Sequence, residues 1–179
     1  MKAPRAGLHG FCYFCLMDAD SIRQTGQDRY KQSKALYQRL RKEKPRDLDD
    51  AAQEYHEEAF AHIDCLDCAN CCKTTSPIFK EGDIARLSRA LRMKVPEFID
   101  TYLQRDHEGD YVLREAPCPF LAGDNTCIVY EHRPRACREY PHTDRKRFHQ
   151  IAMLTLKNTL ICPAVQHVTR RLEEHYTRN

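Results

Sequence analysis

Four cysteines fall within eight residues, Cys65, Cys68, Cys71 and Cys72, in the order C-x2-C-x2-C-C. Two-residue gaps let a turning backbone aim successive thiolates at one ion or cluster, which is the chemistry of zinc sites and of iron–sulfur centres. Their neighbours Asp64, Asp67, Asn70 and Lys73 are polar, so the segment does not read as a set of small buried hydrophobes. Adjacent side chains such as Cys71 and Cys72 point in different directions in most backbone conformations and do not readily chelate one ion. More than one coordination centre is therefore expected. Four further cysteines follow at Cys118, Cys127, Cys137 and Cys162, and the resulting eight match two four-thiolate centres, each tetrahedral zinc or a cubane iron–sulfur cluster. How the eight divide is not fixed by spacing.

Charge does not choose between the metals, because two Zn²⁺ ions and two cluster cores of about +2 each offset eight thiolates equally. Cys118-Pro119 and Cys162-Pro163 resemble the Cys-Pro step that ends bacterial ferredoxin motifs, and a closely packed C-x2-C-x2-C is cluster-like. The typical zinc ribbon instead spaces two C-x2-C knuckles further apart. An iron–sulfur cluster is the preferred cofactor and zinc the alternative.

A family resemblance rests on these residues: Cys65-Leu-Asp-Cys68-Ala-Asn-Cys71-Cys72, an Asp-Ile-Ala-Arg-Leu core within Glu81 to Leu91, Cys118-Pro-Phe-Leu, and Cys127-Ile-Val-Tyr130. Arg133-Pro-Arg-Ala-Cys137-Arg-Glu-Tyr-Pro141 and Cys162-Pro163 complete it. Together they resemble the CxxCxxCC cysteine-cluster family, also called YkgJ-like proteins, over roughly residues 62 to 165. The resemblance implies a zinc- or iron-chelating domain in which Cys65, Cys68, Cys71, Cys72, Cys118, Cys127, Cys137 and Cys162 are the metal ligands. That family in turn resembles flagellin lysine N-methylases, which implies an alternative as a protein-modification enzyme using an iron–sulfur centre and S-adenosylmethionine. The chain departs from that enzyme reading: its six glycines, at 7, 10, 26, 82, 109 and 123, form no Gly-rich nucleotide loop, and no C-x3-C-x2-C is present.

Other signals are weaker. Cys12 and Cys15 form a lone C-x2-C outside the resembling region, and two ligands do not complete a site. His56 and His62 are six residues apart, not at the four-residue spacing of a zinc-protease helix; His62 could serve as a spare ligand. His142 and His149 read as surface residues. Arg133, Arg135 and Arg138 flank Cys137, where positive charge would stabilise an anionic centre.

The elements that must position these thiols are mostly helical, and the expected fold class is a metal-stapled α+β domain. The chain has 179 residues, 41% hydrophobic and 31% charged, with no Trp, and a mean hydropathy of −0.73. That apolar supply is thin for a core, so metal is expected to supplement burial. Residues 1–20 read as an N-terminal extension, disordered or ahead of the true start at Met17. Residues 21–179 read as one cysteine-cluster domain, with 21–63 a helical hairpin, 64–165 the metal-binding core and 166–179 the terminal helix.

Within the hairpin, a charged helix from about Gln27 to Lys44 is closed by Pro45, and Leu48, Ala52, Tyr55, Ala59 and Ile63 form the stripe of a second. Ile84, Leu87 and Leu91 mark a third, opened by Glu81 and Asp83, and Pro96 opens a fourth carrying Phe98, Ile99, Tyr102 and Leu103. Tyr111 to Leu113 and Thr126 to Tyr130, with a turn at Gly123 to Asn125, suggest a small β-hairpin. Pro134 and Pro163 are placed to open a short helix through Tyr140 and a terminal helix.

The net charge of +3 is too small to make nucleic acid a default partner. From residue 132 onward the chain holds ten Lys/Arg against four Asp/Glu, a basic surface that a protein partner could use, although Arg145, Lys146 and Arg147 read first as a solvated face. Lys2 and Arg5 before Leu8 to Met17 faintly resemble a signal peptide, but His9 and Gly10 interrupt the apolar run and no small-residue cleavage site follows. A cytoplasmic location off the membrane is expected, where reducing conditions keep ten cysteines available for metal.

Overall fold

The computed structural model describes residues 18–177; Cys12 and Cys15, and the start proposed at Met17, lie outside the described residues. The chain runs through α1 (Ala19–Glu43), α2 (Leu48–His62), α3 (Cys65–Cys68), α4 (Asn70–Thr74), α5 (Glu81–Ala90) and α6 (Val95–Tyr102). A two-stranded sheet of β1 (Leu103–Arg105) and β2 (Tyr111–Leu113) follows, then α7 (Arg135–Glu139), α8 (Ala152–Asn158) and α9 (Pro163–Thr177). The mostly helical α+β class is thus present, and no described helix is long and apolar enough to cross a membrane.

α1 starts well before Gln27. Asp18 caps it by accepting from the Ser21 amide at 2.8 Å, and Ile22 is fully buried. Polar residues and Gly26 hide this first stretch from a periodicity reading, yet Gly26 is what lets α1 lie against the C-terminal half: a Cβ there would stand 2.5 Å from the Thr159 carbonyl oxygen. Gly26→Ala is expected to lower stability by about 1–3 kcal/mol by overpacking against backbone, although Ala is the better helix former by ~1 kcal/mol. Urea unfolding of the metal-free protein measures which effect wins.

Two apolar cores result. The first joins chain ends distant in sequence: Tyr37 and Leu40 of α1, Leu48 and Ala52 of α2, Phe148, Leu156 of α8, and Val168 and Leu172 of α9. α1 and α2 are consecutive as a hairpin would be, but their main partners are C-terminal, α2 lying along α9 and α1 along α8. Buried polar groups lock this seam. The Tyr37 hydroxyl meets Thr169 Oγ1 at 2.7 Å, and the buried Glu173 carboxylate accepts from Ser33 Oγ and pairs with Arg29.

The second core comes from the middle of the chain: Phe79, Ile84 and Leu87 of α5, Phe98, Leu103, Leu113, Phe120 and Val129. Phe98 is fully buried and stacks on Phe120 at 6.3 Å. The expected β-hairpin has a different first partner. Tyr111–Leu113 pairs antiparallel with Leu103–Arg105, so Leu103 leaves helix for strand. Asp106 Oδ1 accepts from the amides of Glu108 and Asp110, and Gly109 takes φ 82°, which together close a tight turn between the two strands. Thr126 to Tyr130 contributes only a single bridge, Leu121 to Cys127, before turning into a 3₁₀ segment at Tyr130–His132. The Asp124 carboxylate holds that turn by accepting from Thr126 N and Oγ1.

Candidate metal centre

α2 ends at His62 with Ile63 as its C-cap, and Asp64 starts the cysteine loop by accepting from the Leu66 amide at 2.9 Å. α3 carries Cys65 and Cys68 and stops at Ala69, which adopts a left-handed φ of 46° that a non-glycine residue rarely takes. Ala69 redirects the chain, so that α4 presents Cys71 and Cys72 from a new axis. Three bonds clamp this loop. Buried Asn70 donates Nδ2 to the Ile161 carbonyl at 2.7 Å, beside Cys162; the Cys118 amide donates to the Cys72 carbonyl at 2.8 Å; and Asn125 Nδ2 donates to the Leu66 carbonyl at 2.7 Å. Asn70 and Asn125 read in sequence only as a polar neighbour and a turn residue.

Four of the eight thiols share one cavity wall, and the other four are linked by mutual electrostatics, with Cys65 also feeling the charge of Cys72. Cys65, Cys68, Cys71 and Cys162 line one small cavity of about 30 Å³, closed by apolar neighbours that include Phe60, Ile63, Ile161 and Pro163. Cys72, Cys118, Cys127 and Cys137 form the other set, in which each of the last three feels the charge of Cys72. The groups touch at the adjacent pair, where the Cys71 thiol donates to the Cys72 sulfur; that bond raises the pKa of Cys71 and lowers that of Cys72. Among the described residues no three His, Cys, Asp or Glu side chains stand ready at coordinating distance from one point, so the grouping rests on shared cavity walls and mutual electrostatics.

Burial is the largest cause of the raised pKa values of Cys65, Cys118, Cys127, Cys137 and Cys162. It pushes Cys118 up to about 11, with Cys72 and Cys127 adding to it. Cys137 is pushed up to about 12 by burial and then by Cys72, Cys118 and Cys127. Cys162 is likewise pushed up to about 12 by burial, with Cys65 and Cys68 adding to it. Backbone amides oppose the rise: Val165 and Ala164 donate to the Cys162 sulfur, Phe120 and Leu121 to Cys118, and Val129 to Cys127.

These shifts predict a pH response of the metal-free protein. A thiol held above its ordinary value of 9.0 in the folded state adds stability that is complete below that value. The stability is lost as pH rises towards the folded values of about 11 and 12. The thermal midpoint is expected to fall by ~10 °C between about pH 8 and pH 11, as differential scanning fluorimetry will measure; a flat profile would mean that the thiols are solvated.

Of the three arginines flanking Cys137, Arg133 faces the thiols and lowers the pKa of Cys72, Cys65, Cys127 and Cys137. Its guanidinium lies 3.6 Å above the Tyr130 ring. Arg135 pairs with Glu139 instead, and Arg138 is exposed. Asp83, expected only as a helix-dipole acid, is buried and organises this corner. Its carboxylate accepts from Arg86 Nη2 at 2.5 Å and from the Arg135 amide at 3.1 Å, while Arg86 also reaches the Arg133 carbonyl at 2.8 Å, fixing the turn into α7 and so Cys137. The histidines stand apart from the cavity wall. His56 Nδ1 meets Thr143 Oγ1 at 2.7 Å and His62 is exposed. His142 and His149, expected at the surface, are half-buried because the loop from Pro141 folds onto α2 rather than into solvent.

The model of the CxxCxxCC family, described as "Putative zinc- or iron-chelating domain", matches residues 64–162, a span that opens one residue before Cys65 and closes on Cys162. No curated protein and no solved structure matches the chain.

Proposed function

Because the chain belongs to the CxxCxxCC family, we propose that it is an iron–sulfur protein with two four-thiolate centres, one held by Cys65, Cys68, Cys71 and Cys162 and the other by Cys72, Cys118, Cys127 and Cys137. The observation that carries this reading is the sharing of one cavity wall by Cys65, Cys68, Cys71 and Cys162, with no imidazole or carboxylate among them; the mutual electrostatics of Cys72, Cys118, Cys127 and Cys137 support the second centre. All-sulfur tetrahedral sets suit zinc and iron–sulfur clusters above other metals. Amide donors to the Cys118, Cys127 and Cys162 sulfurs would stabilise the added negative charge of a reduced cluster, and Arg133 acts in the same sense on the second group. Bound iron would supply one-electron redox chemistry; the protein's own residues bind it, shield it and set its charge balance.

A zinc-stabilised interaction module is the second reading, favoured by the small enclosed cavity and by the way Asn70, Cys72 and Asn125 tie the loop to both cores. In that case the basic C-terminal surface offers the docking face for a protein partner. Anaerobic purification followed by metal analysis and a visible spectrum separates the two, because Zn²⁺ is d¹⁰ and colourless. Iron with a spectrum that bleaches reversibly on reduction supports the first reading. A colourless protein that binds zinc tightly and shows no reversible change after iron reconstitution supports the second.

A further inference from the structure

The first cavity holds one polar group that its thiols do not use. Tyr140 lines the wall together with Cys65, Cys68, Cys71 and Cys162. Its hydroxyl is enclosed and has no hydrogen-bond partner in the protein. The ring itself is held: it packs edge-on to His142 at 6.3 Å and is followed by the buried Pro141. A phenol kept out of water without an acceptor is unfavourable, so such a group persists where something else completes its bonding. Backbone groups nearby are already engaged, Ile161 O by Asn70 and the Ala164 and Val165 amides by the Cys162 sulfur. The sulfurs of Cys65, Cys68, Cys71 and Cys162 share this wall with it, and burial and then the charges of Cys162, Cys71, Cys65 and Cys68 act on this hydroxyl.

Resting on the two-centre reading above, we propose that Tyr140 is a positioning residue that donates its O–H to a metal-bound thiolate of the Cys65, Cys68, Cys71, Cys162 centre. As a neutral donor it stabilises negative charge on sulfur without adding a ligand. Outer hydrogen bonds of this kind tune cluster potentials and the energy of sulfur-to-metal charge transfer. Arg133 acts on Cys72, Cys127 and Cys137 of the second group and on Cys65 of the first, so the hydroxyl of Tyr140 adds a neutral donor at the first centre to a charge that reaches both.

Cobalt(II) is the probe, because its thiolate charge-transfer band reports on the sulfur directly. The full-length metal-free protein is titrated anaerobically with cobalt, in the natural form and as Tyr140→Phe. The expected result is the same cobalt stoichiometry with about half of the charge-transfer intensity moved to lower energy in the variant. With reconstituted iron, the potential of one centre moves to more negative values. A difluorinated tyrosine at position 140, a stronger donor of nearly the same shape, moves the band in the opposite sense and covers the case in which Tyr140→Phe folds poorly. Superimposable spectra at equal stoichiometry overturn the role of Tyr140 and leave the metal reading standing. Absence of cobalt binding by the natural protein overturns both.

Discussion

Replacing Cys162 with Ser is expected to remove about half of the bound metal and to lower the thermal midpoint of the loaded protein by at least ~10 °C. Site assembly and folding share one free energy in structural thiolate centres, typically about 10–16 kcal/mol for a zinc site, and Cys162 is the proposed ligand at the start of α9 that lines the cavity with the cysteines of α3 and α4. The division into groups makes a sharper expectation for pairs. Cys65→Ser combined with Cys162→Ser should cost little more metal than either alone, since both empty the same centre. Cys65→Ser combined with Cys137→Ser should abolish binding. Metal content by elemental analysis, with thermal unfolding alongside, reads this pattern. Full retention in most of the eight single variants would sink the two-centre assignment.

Phe98→Ala should destabilise the metal-free protein by about 3–5 kcal/mol, the usual cost of emptying a large buried aromatic site. Phe98 is fully buried: it meets Phe79, Tyr102 and Phe120, and Phe120 lies two residues after Cys118. Loosening this core therefore reaches Cys118 and Cys127, which pack against it, before it reaches Cys162, which packs against the other core. The expected signature is weakened metal binding at the second group with the first retained, measured by competition with a chelator. Equal loss at both would mean that the two cores do not act on the cysteines separately.

The thiols were legible because cysteine density is rare and their spacing is local. The stripe of α2 was legible for the same reason, with Leu48, Ala52, Tyr55 and Ala59 all buried as the period requires. What sequence pattern could not carry was decided by contacts far along the chain. Gly26 reads as a helix breaker until Thr159 is seen against it, and Thr126 to Tyr130 has strand-forming residues but no partner strand in reach, so Leu103–Arg105 takes the pairing with Tyr111–Leu113. Asp83 and Asn70 illustrate the same limit at the site. Each is an ordinary polar residue locally, and becomes a clamp on Cys137 or on the Cys162 segment only through bonds to residues about 50 and 91 positions away. The placing of Cys162 on one cavity wall with Cys65, Cys68 and Cys71 is likewise something no spacing rule encodes.

Pairing α2 with α9 sets a timetable for a chain made from one end. The Tyr55 hydroxyl and its partner His175 are separated by 120 positions, which at ~5–20 residues per second leaves α2 waiting on the order of 6–24 s on the ribosome for its packing surface. During that interval the middle core and the set Cys72, Cys118, Cys127 and Cys137 are already complete, whereas the other set lacks Cys162. The nascent chain thus has four of the thiols of the proposed second centre in place while three more, Cys65, Cys68 and Cys71, await Cys162. On the two-centre proposal, metal would meet the two sets in a fixed order, the last thiol and the last helix arriving together.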